Sequence, residues 1–224
     1  FTSYKRPELV FHDAERLAKI LNQPRRPVQI VFAGKAHPAD DTGKHHLHAI
    51  FKRAVDPVFG GRVAFVDDYD LHVAHYLVSG VDVWLNNPRK PLEASGTSGM
   101  KAAINGVPHL SIGDGWWAEG YSGANGWLIE GTLDDAANTA GDPSHEAVDA
   151  ADAAALYTLL EDEVVPAFYQ RNRQGVPDRW LQIVRESIRT VTPHFSARRM
   201  LMDYLERAYA PAYTAAAPVK VEQG

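Results

Sequence analysis

Pro91-Leu92-Glu93-Ala94-Ser95-Gly96-Thr97-Ser98-Gly99-Met100-Lys101 joins a short apolar run, Val81-Asp82-Val83-Trp84-Leu85, to a stretch with helical spacing from about Thr97 to Asn105. A strand feeding a small-residue turn and then a helix is the unit from which parallel sheets are built, and ligands of open α/β sheets gather at the carboxyl ends of such strands. Small residues at positions 94 to 99 let backbone amides approach an anion, and the helix N-terminus adds partial positive charge. Lys101 follows Thr97 by four residues, on the same helix face one turn on, and helical side chains lean back toward the N-terminus. From spacing alone three readings stay open. The lysine is a counter-charge to a bound phosphate, or it forms an imine with a phosphate-bearing aldehyde such as pyridoxal phosphate, or the turn merely caps a helix and the lysine is solvated.

The same alternation extends outward in both directions. Upstream, a helical pattern over Pro7 to Gln23 leads into Val28-Gln29-Ile30-Val31-Phe32-Ala33-Gly34, a β-branched run that reads as a buried parallel strand. A helix over His45 to Val55, a strand over Arg62 to Val66 and a helix over Leu71 to Val78 follow. Downstream, strands are expected at His109-Leu110-Ser111-Ile112 and Trp127-Leu128-Ile129. Such alternation predicts right-handed βαβ units in one parallel sheet covered on both faces. Beyond Gly131 the chain becomes rich in Ala and Asp, with a turn at Gly141-Asp142-Pro143-Ser144 and helices over roughly 145 to 171, 178 to 191 and 196 to 209. The division expected is an α/β domain over 1–131, a helical extension over 132–210 and an unstructured Ala/Pro-rich tail over 211–224.

Composition limits the chemistry. The 224 residues carry 23 Lys+Arg against 28 Asp+Glu, a formal charge of -5, and no cysteine. Thiolate nucleophiles, Cys-ligated zinc and iron–sulfur clusters are excluded, and the absence of a basic block argues against a nucleic-acid surface. No apolar run approaches the roughly 18 to 20 residues that span a bilayer, so the expectation is a soluble cytoplasmic protein without a membrane partner.

Glu93-Ala94-Ser95-Gly96-Thr97-Ser98-Gly99-Met100-Lys101 resembles the pyridoxal-phosphate lysine motif of the α-glucan phosphorylases, the glycogen, starch and maltodextrin enzymes. The resemblance continues in Phe32-Ala33-Gly34-Lys35-Ala36, Val66-Asp67-Asp68-Tyr69, Asn105-Gly106 and Asp114-Gly115. Tyr4-Lys5-Arg6 matches the end of a family block that usually reads Arg-Ile-His-Glu-Tyr-Lys-Arg, which would place the family arginine immediately before Phe1. The resemblance implies a Rossmann-like parallel-sheet domain of the GT-B glycosyltransferase fold with C-terminal helices. It also implies an N-terminal domain of the same enzyme as partner across a cleft, and is compatible with a homo-oligomer.

Enzymes of that family transfer a terminal glucose of an α-1,4-glucan to inorganic phosphate and release α-glucose 1-phosphate, with pyridoxal 5′-phosphate as cofactor. Its 5′-phosphate, not its ring, handles the proton. By resemblance, Lys101 anchors the cofactor through a Schiff base, and Gly96, Thr97 and Tyr69 lie at its phosphate. Lys5 contacts the pair of phosphates, and Glu93 with Ala94, Ser95 and Gly96 takes hydroxyl groups of the glucosyl unit. Asp70 departs from the arginine that follows the tyrosine in animal enzymes, and Arg89 or Lys90 are candidates to replace that cation. Two alternatives are a nucleotide-sugar transferase of the GT-B fold and a non-catalytic glucan-binding module. Retaining transferases often carry a second glutamate eight positions after the first; here that position is Lys101.

The remaining polar and aromatic clusters have plainer readings. His45, His46 and His48, like His72 and His75, are expected to be surface histidines, because a metal needs three or more convergent ligands. Asp67, Asp68 and Asp70 at a helix start favour the helix dipole without a metal. Trp116, Trp117 and Tyr121 either stack on sugar or are buried beneath the terminal helices. The arginines from Arg171 to Arg199 read as a solvated face or a packing surface for the N-terminal domain.

Overall fold

The computed structural model describes residues 1–131 and 145–215. Five short strands alternate with helices: β1 (Ile30–Ala33), β2 (Val63–Val66), β3 (Trp84–Asn86), β4 (His109–Ile112) and β5 (Gly126–Ile129). Every pairing is parallel. The expected single sheet is instead two ladders, β1-β2 and β3-β4-β5. One apolar core joins them, since Val63 of β2, Leu110 and Ile112 of β4 and Ile129 of β5 belong to the same buried cluster. β4, central in its ladder, is buried at all four positions, as a strand covered on both faces must be.

α1 (Ala14–Leu21) precedes β1, while α2 (Asp41–Ala54), α3 (Leu71–Gly80) and α4 (Thr97–Ile104) connect successive strands, with one further turn, α5 (Trp117–Gly120), between β4 and β5. α1 is shorter than the pattern over Pro7 to Gln23 suggested. A 3-10 turn occupies Leu9–Phe11, and the Asp13 side chain accepts the Arg16 amide at 2.9 Å, which starts the helix anew. Asp40 and Asp70 cap α2 and α3 in the same way, so capping accounts for Asp70. Asp67 and Asp68 are exposed.

After the undescribed segment, which contains the turn expected at Gly141-Asp142-Pro143-Ser144, come α6 (His145–Leu159), a π turn (Leu160–Val164) and α7 (Val165–Tyr169). α8 (Asp178–His194), α9 (Ala197–Tyr204), a second π turn (Leu205–Tyr209) and α10 (Ala210–Ala215) follow. Helix therefore runs past Pro211, where the sequence pattern suggested a tail; residues 216–224 lie outside the described part. No helix among the described residues is long and apolar enough to cross a membrane.

α6 closes the core over β5 and the 3-10 turn at Leu9–Phe11. Tyr157 of α6 is 1% exposed, and its hydroxyl takes the Asp13 amide at 2.8 Å and donates to the Val10 carbonyl at 2.9 Å. Tyr157→Phe would leave the buried Val10 carbonyl and the part-buried Asp13 amide without this partner, so chemical denaturation is expected to show a loss of about 1–3 kcal/mol with unchanged far-UV dichroism; a neutral effect would show that neither bond matters.

His109 opens β4 fully buried, and burial, opposed only by the nearby Trp84 backbone, lowers its pKa from 6.5 to about 3. The ring is neutral in the folded state and protonates only on unfolding between those values. Its contribution is thus complete above pH 6.5 and is lost as pH falls toward 3. From about pH 7 to about pH 5 the protein is expected to lose roughly 2 kcal/mol more stability than His109→Leu; parallel stability profiles would contradict this.

Candidate active site

Two segments far apart in sequence make the site. Tyr4-Lys5-Arg6 lies in and beside a 3-10 turn (Ser3–Lys5), and Arg6 holds a positive φ of 44°. Its side chain is 4% exposed; the guanidinium donates to the carbonyls of Asn87 and Pro88 at 3.0 Å and to Asp149 at 2.8 Å, and lies 2.7 Å from Asp152. The Asn87 side-chain amide donates back to the Arg6 carbonyl at 2.6 Å, and the Arg89 amide to the Tyr4 carbonyl at 2.6 Å. The chain after β3 is thereby stitched to the segment that carries Lys5.

This stitching brings Lys5 to Glu93. The Lys5 ammonium donates to Glu93 Oε2 at 2.9 Å, and the Tyr4 hydroxyl lies 3.4 Å from Oε1. Glu93 is 8% exposed and Lys5 43%. Partial burial acts against the lysine charge, but the hydrogen bonds and charge of Glu93 and Tyr4 outweigh it and hold the Lys5 pKa above its ordinary value. From below, Asp114 accepts the Glu93 amide at 2.9 Å and Trp116 donates its amide to the Ser95 carbonyl at 2.8 Å. Gly115 permits that approach, because a Cβ there would fall 2.6 Å from the Ser95 oxygen.

Gly96, with φ at 82°, ends the loop in the left-handed region and starts α4. No side chain caps that first turn; its Gly99 amide donates to the Gly96 carbonyl at 3.1 Å, and the Thr97 and Ser98 amides have no acceptor among the described residues. Thr97 and Lys101 are exposed on the same helix. This arrangement fits a phosphate-bearing aldehyde: an uncapped helix start for the anion, a hydroxyl beside it, and an exposed primary amine one turn on.

Lys5 and Glu93 meet, and Gly96, Thr97 and Lys101 line one edge of the same loop and helix. Tyr69, partly buried, precedes α3, which packs against α4; no hydrogen bond among the described residues joins it to Lys5, Glu93 or Lys101. Arg89, a candidate for the cation absent at Asp70, is engaged elsewhere. Its guanidinium is held by both carboxylate oxygens of Asp149 at 2.8 and 2.9 Å. Lys90 is exposed. Asn87 and Asp149 do not stand out in the sequence, and Asp114 does so only through Asp114-Gly115, without its bond to Glu93; an alternation of Ala and Asp gives no mark by which Asp149 could be told from its neighbours.

Trp116 and Trp117 are 3% and 1% exposed, packed with Ala103, Val191 and Phe195, and Tyr121 lies against Trp117. His45, His48, His72 and His75 are exposed, while His46 bonds Glu8 at 2.7 Å, and no metal-binding group of side chains occurs among the described residues. Arg179, Arg189 and Arg199 pair with Glu163, Glu186 and Asp203 on the surface of the terminal helices.

The family model for carbohydrate phosphorylases matches residues 1–133. A glycogen phosphorylase of Aquifex aeolicus is 56% identical over 209 residues, which is 93% of this chain and 29% of that protein. A maltodextrin phosphorylase of Thermococcus litoralis is 47% identical over 212 residues, 95% of this chain and 24% of the relative. A glycogen phosphorylase of Mycobacterium bovis is 47% identical over 210 residues, 94% of this chain and 24% of its own length. The chain thus spans between 24% and 29% of these relatives. The matched region contains both segments of the site, and this chain belongs to the carbohydrate phosphorylase family.

Proposed function

We propose that this chain is the cofactor-carrying wall of a cytoplasmic enzyme that cleaves α-1,4-glucan with inorganic phosphate to give α-glucose 1-phosphate. The observation that carries the reading is the 2.9 Å contact between Lys5 and Glu93 beside the uncapped start of α4. A cation suited to phosphate and a carboxylate suited to sugar hydroxyls are adjacent, one loop away from an exposed lysine. The opposite wall would be the N-terminal domain of the same enzyme.

Lys101 would hold pyridoxal 5′-phosphate covalently, and the first-turn amides at Gly96 and Thr97, the Thr97 hydroxyl and Tyr69 would hold its phosphate. That phosphate, a monoester with a second pKa near 6, supplies a group able to exchange a proton at neutral pH. Lys5 keeps its charge, its pKa being raised, and so screens two phosphates brought close together. Glu93 and the backbone of Ala94, Ser95 and Gly96 orient the glucosyl unit. The bonds from Asp114 and Trp116 hold that loop still, so little orientation remains to be fixed when sugar arrives. Arg89 stays with Asp149, and the place of the family arginine is taken by Asp70, whose carboxylate caps α3.

Two outcomes test the reading. After incubation with pyridoxal phosphate and borohydride, peptide mapping is expected to place the label on Lys101, and Lys101→Ala to abolish it; label elsewhere, or none, would sink the cofactor assignment. With maltoheptaose and phosphate, the chain by itself is expected to release no glucose 1-phosphate, because one wall cannot exclude water or hold acceptor sugars. Release by this chain alone would overturn the division of labour between two domains.

A further inference from the structure

Neither ring nitrogen of His109 has a hydrogen-bond partner of normal geometry among the described residues, although the residue is fully buried. An apolar residue would fill the space without orphaned polar atoms, so the ring's shape and direction need a reason. A Cβ built on Gly99 would fall 2.5 Å from Cε1 and 2.9 Å from both Nδ1 and Nε2. The polar N–C–N edge of the imidazole therefore faces the first turn of α4, and glycine at 99 is what allows the approach.

Trp116 stands beside it. A Cβ on Gly96 would lie 3.3 Å from Trp116 Cδ1, and Trp116 Nε1 is likewise buried without a partner among the described residues. The His109 and Trp116 rings have centroids 5.0 Å apart, and Trp117 meets His109 edge-on at 4.9 Å. One stiff aromatic floor thus runs beneath the turn from Gly96 to Gly99, while Thr97 and Lys101 are exposed to solvent.

We propose that His109 is a positioning residue for cofactor capture. Its uncharged imidazole, braced by Trp116 and Trp117 and bearing on Gly99, sets the height and rotation of the first turn of α4, and hence the places of the anion-binding amides and the Lys101 amine. α4 has only eight residues, too few to fix its own rotation, and its other main support, α8, touches the far end through Ser187 beneath Ala103 and Ile188 beside Gly106. Misplacement by about 1 Å weakens a site on the order of 100-fold. The inference rests on Lys101 being the cofactor lysine.

The test is a titration of the protein and four variants with pyridoxal phosphate, read by absorbance of the bound chromophore and by the borohydride-fixed label on Lys101, each normalised to the folded fraction. His109→Ala, which removes the floor, and Gly99→Ala, which collides with it, are each expected to raise the half-saturating concentration about tenfold or more. The double variant His109→Ala/Gly99→Ala, in which the new methyl meets no ring, is expected to recover part of that loss. Leu110→Ala, a core truncation one residue along β4, is expected to lower stability without changing capture by the folded protein. If the wild type captures cofactor on Lys101 and both single variants do so equally well, the positioning role is wrong and the cofactor reading stands. If the wild type captures none, the cofactor reading fails and this inference falls with it.

Discussion

The buried guanidinium of Arg6 is the constraint on which the site's geometry depends. A charge with 4% exposure survives only when its donors are matched, and the matching groups come from two regions: the carbonyls of Asn87 and Pro88 after β3, and the carboxylates of Asp149 and Asp152 on α6. The first residues, the sheet and the terminal helices are therefore bound at one point. Asp149 also holds Arg89, whose amide bonds Tyr4, so the two residues flanking Lys5 are both fixed through the same carboxylate. A buried pair of this kind contributes little net stability against an apolar replacement, but removing one partner is strongly unfavourable. Its effect is geometric: it leaves Lys5 one position from a fixed point and within reach of Glu93.

The ion pair of Lys5 with Glu93 has a second meaning for the proposed reaction. Without ligands, the cation proposed for phosphate neutralises the carboxylate proposed for sugar, so the buried Glu93 is not left unpaired. Their different exposure, 43% and 8%, makes the lysine the mobile member. In the proposed reaction an arriving phosphate would compete for the ammonium, and a sugar hydroxyl would then take the place that the ammonium held on Glu93. Screening by water is stronger on the lysine side than on the glutamate side, which favours a shared arrangement over full separation of the pair.

How much of this was legible in the sequence follows from which forces act locally. β1 to β5 and most helices lie where hydrophobic period and turn residues placed them, because those patterns record which side faces the core. The restart of helix at Asp13 depended on a side-chain cap inside an otherwise helical pattern. The splitting of the strands into two ladders depended on packing, whereas the second π turn and the helix beyond Pro211 are exposed and continue directly from α9. Within the site, Glu93 to Lys101 were readable because their chemistry is contiguous. Arg6 and Asp114 lie in stretches that carry the resemblance, but their roles, like that of Asp149, were not readable, since what marks them is a partner between 21 and 143 residues away.

The glycines of the motif, with Gly115 after it, also serve the packing beneath the loop. Small residues from 94 to 99 suggested open backbone for an approaching anion. Gly99 is instead required by the imidazole beneath it, and Gly115 by the Ser95 carbonyl. Gly96 is required by its φ of 82°, a conformation that side chains with a Cβ adopt poorly. At two of these three positions, then, glycine serves the protein's own close packing, and the resulting loop is held still from below. Room for an anion comes from a different feature, the first turn of α4 that no side chain caps. The bonds from Asp114 and Trp116 already fix the loop, so the proposed ligand would meet donors whose ordering costs little.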